Sequence, residues 1–369
     1  MDPGSSISQT AKYLCRAGYG ILASDESTAT MNKRLAKTGL DGSLETRRAY
    51  RELFYCADIG KYISGAILFK EMLVQKDSTS QPFTTCLVAQ GVLPGIKADE
   101  GLEAIASGAK SKEETHTKGL DSLKEACQEY RRQGARFAKW RAALKISADT
   151  PSELAISMNA AELGKYARIC QDCGLVPIVE PEILIDGEHG MRESSEAAER
   201  VLVACFQALR EQAADLGGML LKPQMIIPGS EFTGPKPSSR AIAEETLRVM
   251  RKCVPPEVPG IMFLSGGQTE VEATANLDAI NRLASEQGGA PWALTFSYGR
   301  ALQSSVLDIW SKDRSKVAEA QQMAAALAAA NGAASVGQWD GQHPSVLSSS
   351  QSLLETFRGW NAQPALQAQ

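Results

Sequence analysis

Histidine is scarce: His116, His189 and His343 are the only three in 369 residues. None stands in an H-x-H or H-E-x-x-H arrangement, which argues against a histidine-built metal centre. Excess positive charge is also missing. The formal net charge of −4 speaks against a general nucleic-acid or anionic-membrane partner, so any anion site must be built locally from a few placed cations. No apolar run approaches a membrane span, and MDPGSSISQTAKYL at the start has no basic stretch leading into an apolar one. The expectation is a cytoplasmic protein with no membrane partner.

Paired cysteine motifs are lacking as well. Eight cysteines are scattered along the chain, which reads as reduced, mostly buried thiols rather than a disulfide framework. Cys170 and Cys173 form a lone CxxC with no second pair and no neighbouring histidine, too few ligands at set spacing for a zinc or redox site. No internal repeat and no dividing linker are visible.

What is present is 43% apolar and 22% charged residues, the balance of a folded chain with a substantial core. Eight short apolar runs recur: GILASDES (20–27), ISGAILFKE (63–71), LPGIKAD (93–99), RFAKWRA (136–142), LVPIVEPEI (175–183), GGMLLKPQMI (217–226), GIMFLSGGQ (260–268) and WALTFSYGR (292–300). Near-continuous apolar strands suit a parallel sheet covered on both faces. Helix signals lie between them. Thr150-Pro151-Ser152-Glu153 reads as a capping box with proline at the first helical position, Gly174 stops that helix, and Thr269 to Glu272 opens another in the same way. Eight strand–helix units predict an α/β fold, a (β/α)8 or TIM barrel, over 1–332; a doubly wound open sheet more often uses five to seven strands. From 333 to 369 the composition turns to Ser, Gly, Gln and Ala, which predicts a C-terminal tail or arm, mobile or laid on the surface.

Seven of the eight runs end in a functional group: Asp25 and Glu26, Lys97, Lys139 with Arg141, Glu180 with Glu182, Lys222, Ser265, and Arg300. In a (β/α)8 barrel those ends converge on one rim. A lysine closing one apolar strand is ordinarily a solvated end; seven strand ends on one rim are a constellation. Ser265-Gly266-Gly267 and Tyr298-Gly299-Arg300 follow the last two strands, where backbone N–H groups and a guanidinium can hold a phosphate. Lys97, with Ser27, Thr30, Lys33 and Arg34, can hold a second; an exposed helical face accounts equally well for Lys33 and Arg34.

Three lysines beside two acidic positions point to amine chemistry. A nucleophilic lysine must be partly neutral, its pKa brought from about 10.4 toward about 7 to 8, a preference worth roughly 4 kcal/mol. Lys222 follows Met219, Leu220 and Leu221 with no charge nearby in sequence, so desolvation favours its neutral form. Lys139 and Arg141 share a strand face and can supply a neighbouring cation. Glu180 is the candidate proton donor and acceptor, with Glu182 supporting it.

SDESTAT (24–30), GIKAD (95–99), FAKWRA (137–142), VPIVEPEIL (176–184), LLKPQM (220–225), FLSGGQ (263–268) and WALTFSYGRAL (292–302) together resemble class I fructose-1,6-bisphosphate aldolase, in order from about residue 10 to about 330. The resemblance implies a metal-independent, cofactor-free lyase of glycolysis and gluconeogenesis, usually a homotetramer, which cleaves a phosphorylated sugar through a lysine Schiff base. It implies Lys222 as the nucleophile at the C2 ketone, Glu180 as the acid and base of carbinolamine dehydration, and Asp25 as the base at the C4 hydroxyl. Lys139 would assist carbinolamine formation. Ser265, Gly266, Gly267, Gly299 and Arg300 would hold the C1 phosphate, and Arg34, Lys97 and Arg141 the C6 phosphate. Gln224 stands where the family commonly has asparagine, and Thr30 where serine is common. Many members end in a tyrosine that aids enamine protonation. No tyrosine follows Tyr298 here, so the expectation is intact cleavage with slower enamine protonation, or another residue in that role.

Two rivals remain. A non-catalytic interaction protein on the same barrel is disfavoured because unused buried lysines would cost stability. A transaldolase or monophosphate aldolase is disfavoured by two phosphate-binding groups at opposite ends of one site.

Overall fold

The computed structural model describes residues 6–106 and 113–347. Its strands are β1 Gly20–Ser24, β2 Ile63–Leu68, β3 Leu93–Lys97, β4 Leu102–Ala104, β5 Thr115–Thr117, β6 Phe137–Lys145, β7 Val176–Leu184, β8 Leu220–Leu221, β9 Gly260–Phe263 and β10 Ala293–Tyr298. Eight of them close a parallel barrel in the order β1-β10-β9-β8-β7-β6-β3-β2. Each of the eight apolar runs supplies one barrel strand. The open-sheet alternative fails because β1 pairs with both β2 and β10. The antiparallel ribbon β4–β5 is an addition between β3 and β6 that the apolar pattern does not announce.

Side chains on a strand alternate between faces, and the buried residues sort into two clusters accordingly. Ala138, Trp140 and Ala142 of β6 belong to the outer layer, between barrel and helices; there Trp140 stacks on Tyr166 with ring centroids 5.4 Å apart. Phe137, Ile178, Leu220, Ile21, Ile67 and Met262 fill the barrel itself, together with Ala11 and Leu14 of the helix Ile7–Leu14. Phe137 needs room at the centre, and Gly65 and Gly95 provide it. A Cβ on Gly95 would lie 2.2 Å from the Phe137 ring, and one on Gly65 2.9 Å from it.

The same alternation then decides where the charges go. Two residues beyond Phe137 comes Lys139; two beyond Ile178 comes Glu180; two beyond Leu220 comes Lys222. An apolar layer therefore carries an ionic layer directly above it. Pro223 has no N–H and helps end β8 early, yet Lys222 N still donates to Val179 O at 2.8 Å. The strand ladder thus reaches as far as the lysine.

One helix start differs from the sequence expectation. The helix Glu153–Asp172 is capped by Ser152, whose Oγ accepts from Ala155 N at 3.2 Å. Thr150 is not the cap, because its hydroxyl is 2.7 Å from Ser147 Oγ. The cap at Thr269 is as expected, with Thr269 and Glu272 forming a reciprocal capping box on the helix Glu270–Glu286.

The helix Val317–Ala334 runs past the expected start of the arm. Residues 335–347 then lie along the helix Glu270–Glu286: Trp339 N donates to Asp278 Oδ1 at 3.0 Å, and Ser345 Oγ donates to Glu270 Oε2 at 2.5 Å. The rest of the arm, 348–369, lies outside the described residues.

Candidate active site

Four of the expected residues meet at the rim in one chain of contacts. Lys222 Nζ is 2.8 Å from Glu180 Oε1, Lys139 Nζ is 3.2 Å from Glu180 Oε2, and Lys139 Nζ is 2.8 Å from Asp25 Oδ2. Lys222 is 4% exposed, and Lys139 and Glu180 are each 3% exposed. Although Lys222 has apolar neighbours in sequence, its side chain meets a carboxylate. Glu180 lies between the two lysines, Oε1 against Lys222 and Oε2 within ion-pair range of Lys139.

The electrostatics follow from this crowding. For Glu180, burial pushes the carboxyl pKa up, but Lys139, Lys222 and Arg141 outweigh burial and hold it below the usual range. Asp25 behaves alike: burial opposes its charge, and Lys139, Lys222 and Lys97 hold it well below the usual range. Burial opposes the charge on Lys139 too, yet Asp25, Glu180 and Asp99 raise its pKa well above that of an ordinary lysine. Lys139 is therefore a standing cation beside Glu180.

Asp99 has no assigned role in the sequence reading, although it closes the same run as Lys97. It is 7% exposed, accepts from Lys97 Nζ, and stands 3.9 Å from Lys139 Nζ. Lys97 also donates to Asp99 O at 2.9 Å. The signal was the two-residue spacing between Lys97 and Asp99, which puts both on one face.

Arg141 pairs with Glu182 one layer above Lys139 and Glu180, as the parallel register of β6 and β7 allows. Burial opposes the Arg141 charge, but Glu182, Glu180 and Asp99 keep it firmly cationic.

Glu26 faces away from Asp25. It accepts from Arg34 Nη1 at 2.5 Å and from Gln303 Nε2 at 3.0 Å, and pairs with Arg51 at 2.7 Å. Arg34 is thereby brought to the end of β1, while Lys33 is exposed. Ser27 caps the helix Thr28–Ala36, and its Oγ lies 3.1 Å from Thr30 Oγ1.

The two glycine loops sit side by side because β9 pairs with β10, Phe263 opposite Phe296. Gly266 and Gly267 have φ of 45° and 81°, the left-handed region that favours glycine. Gln268 Nε2 donates to Ser265 O at 3.0 Å, and Asn276 Nδ2 holds Gln268 Oε1 at 2.7 Å. Each loop runs into a helix, Glu270–Glu286 and Arg300–Lys312. Glu270 joins them, accepting from Ser305 N at 2.9 Å and from Ser305 Oγ at 2.5 Å. Gln224, two residues past Lys222, is 5% exposed and neither amide atom has a hydrogen-bond partner. Its amide lies against Gly266, where a Cβ would fall 2.1 Å from Gln224 Oε1.

The arrangement gathers two buried amines and two carboxylates at the strand ends of the barrel. The sequence profile of the family described as "Fructose-bisphosphate aldolase class-I" matches residues 6–357. The cytosolic fructose-bisphosphate aldolase 5 of Arabidopsis thaliana is 48% identical over 349 residues, 94% of this chain and 95% of the relative. Fructose-bisphosphate aldolase 1 of Caenorhabditis elegans is 47% identical over 347 residues, 93% of each chain. A fructose-bisphosphate aldolase from Plasmodium falciparum, solved in complex with TRAP and a small-molecule inhibitor, superposes with a TM-score of 0.87 at 45% identity, covering 91% of this chain and 95% of that one. The lysine-rich rim, the closed barrel and these near full-length matches agree: the chain belongs to the class I fructose-bisphosphate aldolase family.

Proposed function

We propose that the protein cleaves fructose 1,6-bisphosphate reversibly to dihydroxyacetone phosphate and glyceraldehyde 3-phosphate, with Lys222 forming the Schiff base. The class is metal-independent, and the reading needs no cofactor. Lys222 passes a proton to Glu180, 2.8 Å away, and attacks the C2 ketone, giving a carbinolamine. Glu180 protonates the departing hydroxyl, water leaves, and the iminium remains. Asp25 takes the C4 hydroxyl proton as the C3–C4 bond breaks, and the bond's electron pair flows into the iminium to give an enamine. Glyceraldehyde 3-phosphate leaves, the enamine takes a proton from solvent at C3, and water adds to the resulting iminium, releasing dihydroxyacetone phosphate and the Lys222 amine.

The observation that carries this reading is the unbroken series Lys222–Glu180–Lys139–Asp25, with separations of 2.8, 3.2 and 2.8 Å. Ser265, Gly266, Gly267, Gly299 and Arg300 are assigned to the C1 phosphate, and Arg34, Lys97 and Arg141 to the C6 phosphate. A C6 phosphate would compete with Glu26, Asp99 and Glu182 for these three cations, and a phosphate group at each end would favour a bisphosphate over a monophosphate substrate. A homotetramer working in the cytosol, in glycolysis and gluconeogenesis, is the proposed setting; several relatives carry cytosolic or cytoplasmic names, and among the described residues no helix is long and apolar enough to cross a membrane. A coupled assay of triose phosphate release tests the activity: fructose 1,6-bisphosphate is expected to be cleaved with EDTA present, and no cleavage would overturn the proposal.

A further inference from the structure

Cys56, Asp77 and Cys86 converge outside the site described above. Cys56 caps the helix Leu44–Tyr55, which leads into β2, and Cys86 lies on the helix Phe83–Ala89, which leads into β3. Their cluster therefore lies toward the end of the barrel where strands begin, opposite the lysine rim. The two sulfurs and one Asp77 oxygen lie within 4.8 Å of one another. Cys86 Sγ is 3.5 Å and Cys56 Sγ 3.9 Å from the same atom, Asp77 Oδ2. The other oxygen, Oδ1, accepts from Thr79 N, Thr79 Oγ1 and Gln81 N, each at 2.8 Å. Three bonds on the far oxygen thus fix the carboxylate with Oδ2 turned to both sulfurs, the way outer partners orient a metal ligand.

We propose that Cys56 Sγ, Cys86 Sγ and Asp77 Oδ2 bind one divalent cation of borderline softness, zinc being the natural occupant, with water as fourth ligand. Two thiolates and a carboxylate are a zinc donor set, unlike the all-oxygen sets of magnesium and calcium. A tetrahedral zinc with bonds of about 2.0 to 2.3 Å places its ligand atoms roughly 3.3 to 3.8 Å apart. The observed separations from Oδ2 are already close to that. Cys86 is buried while Cys56 and Asp77 are partly exposed, so an ion can enter from one side. Binding releases two thiol protons to solvent as the dication enters, leaving the net charge of the cluster unchanged. Both thiols give up a proton to bind the ion, so metal uptake tightens as pH rises.

The CxxC motif is the weaker candidate. Cys170 is fully buried, with Cys127 Sγ 3.7 Å away, and among the described residues only the Cys56 cluster brings three such ligands together. The proposed ion cross-links two helices and a loop; it takes no part in the lysine chemistry, so trapping at Lys222 and metal binding can fail independently.

The test is a titration of the reduced, chelator-treated full-length protein with Co²⁺, followed by Zn²⁺. One equivalent of Co²⁺ is expected to produce thiolate-to-cobalt charge-transfer and tetrahedral ligand-field bands. Co²⁺ binding should release two protons per ion in weak buffer, and Zn²⁺ should then displace it with no further release. Cys56→Ser and Cys86→Ser, with folding verified by circular dichroism, should each weaken Zn²⁺ binding by more than about 100-fold, and Asp77→Asn by about tenfold or more. Cys173→Ser should change nothing. The proposal is overturned if wild type gives no charge-transfer band or releases fewer than two protons. It is equally overturned if the band survives in both serine variants or disappears in Cys173→Ser.

Discussion

Lys222 Nζ stands 2.8 Å from Glu180 Oε1, while the other oxygen of the same carboxylate stands 3.2 Å from Lys139 Nζ. One buried carboxylate is shared by two amines, and Lys139 has Asp25 as a further partner at 2.8 Å. The asymmetry supports the proposed roles. Lys139 is held as a cation by three carboxylates, whereas Glu180 can pass the Lys222 proton onward.

Glu180→Gln keeps the shape and removes the acid and base. The expected result is a fall in kcat of about 10²- to 10⁴-fold, with KM changed far less. Steady-state kinetics checks it, and a kcat within threefold of wild type would contradict the role.

Asp25→Asn separates imine formation from carbon–carbon cleavage. The amide cannot take the C4 hydroxyl proton, so cleavage should drop by at least about 100-fold. Borohydride should still trap the bound sugar on Lys222. Loss of trapping together with cleavage would place Asp25 in the earlier step.

Glu26 makes a stability prediction with a defined pH window. Burial would raise its carboxyl pKa, but Arg51 and Arg34 outweigh burial and lower it from 4.5 to about 2. A depressed carboxyl contributes its stability above the unfolded value and loses it as pH falls through the folded one. The contribution is about 3 kcal/mol. Urea unfolding should show Glu26→Gln less stable by about that amount at pH 7, with the gap closing between about pH 4.5 and about pH 2. A gap independent of pH would refute the ion-pair account.

Gly266→Ala tests the C1-phosphate loop. The new methyl would fall 2.1 Å from Gln224 Oε1 on a backbone with φ of 45°. Both effects move the loop, and the left-handed backbone alone costs roughly 1 to 2 kcal/mol. The KM for fructose 1,6-bisphosphate should rise at least about tenfold, and Gly266→Ala/Gln224→Ala should recover part of that loss. An unchanged KM would remove the loop from phosphate binding.

The barrel was legible because buried parallel strands read as apolar runs, and the period of two carries each run from core to rim. Leu220 followed by Lys222 shows this within three residues. What stayed hidden depends on partners distant in sequence. Glu26 adjoins Asp25 yet turns to Arg34, Arg51 and Gln303, the last of them 277 residues on. The apolar context of Lys222 suggested desolvation as the main influence, whereas folding sets Glu180 against its amine. The helix start moved from Thr150 to Ser152 because the Thr150 hydroxyl turns to Ser147 while distant Glu114 holds Ser152, accepting from its N–H at 2.7 Å.

The central claim is that Lys222 is the covalent nucleophile. The protein is incubated with fructose 1,6-bisphosphate, reduced with borohydride, digested, and the modified peptide located by mass spectrometry. One reduced sugar adduct per chain is expected on Lys222, absent in Lys222→Met. An adduct on Lys139 instead, or none on any lysine under conditions of active cleavage, would contradict the account.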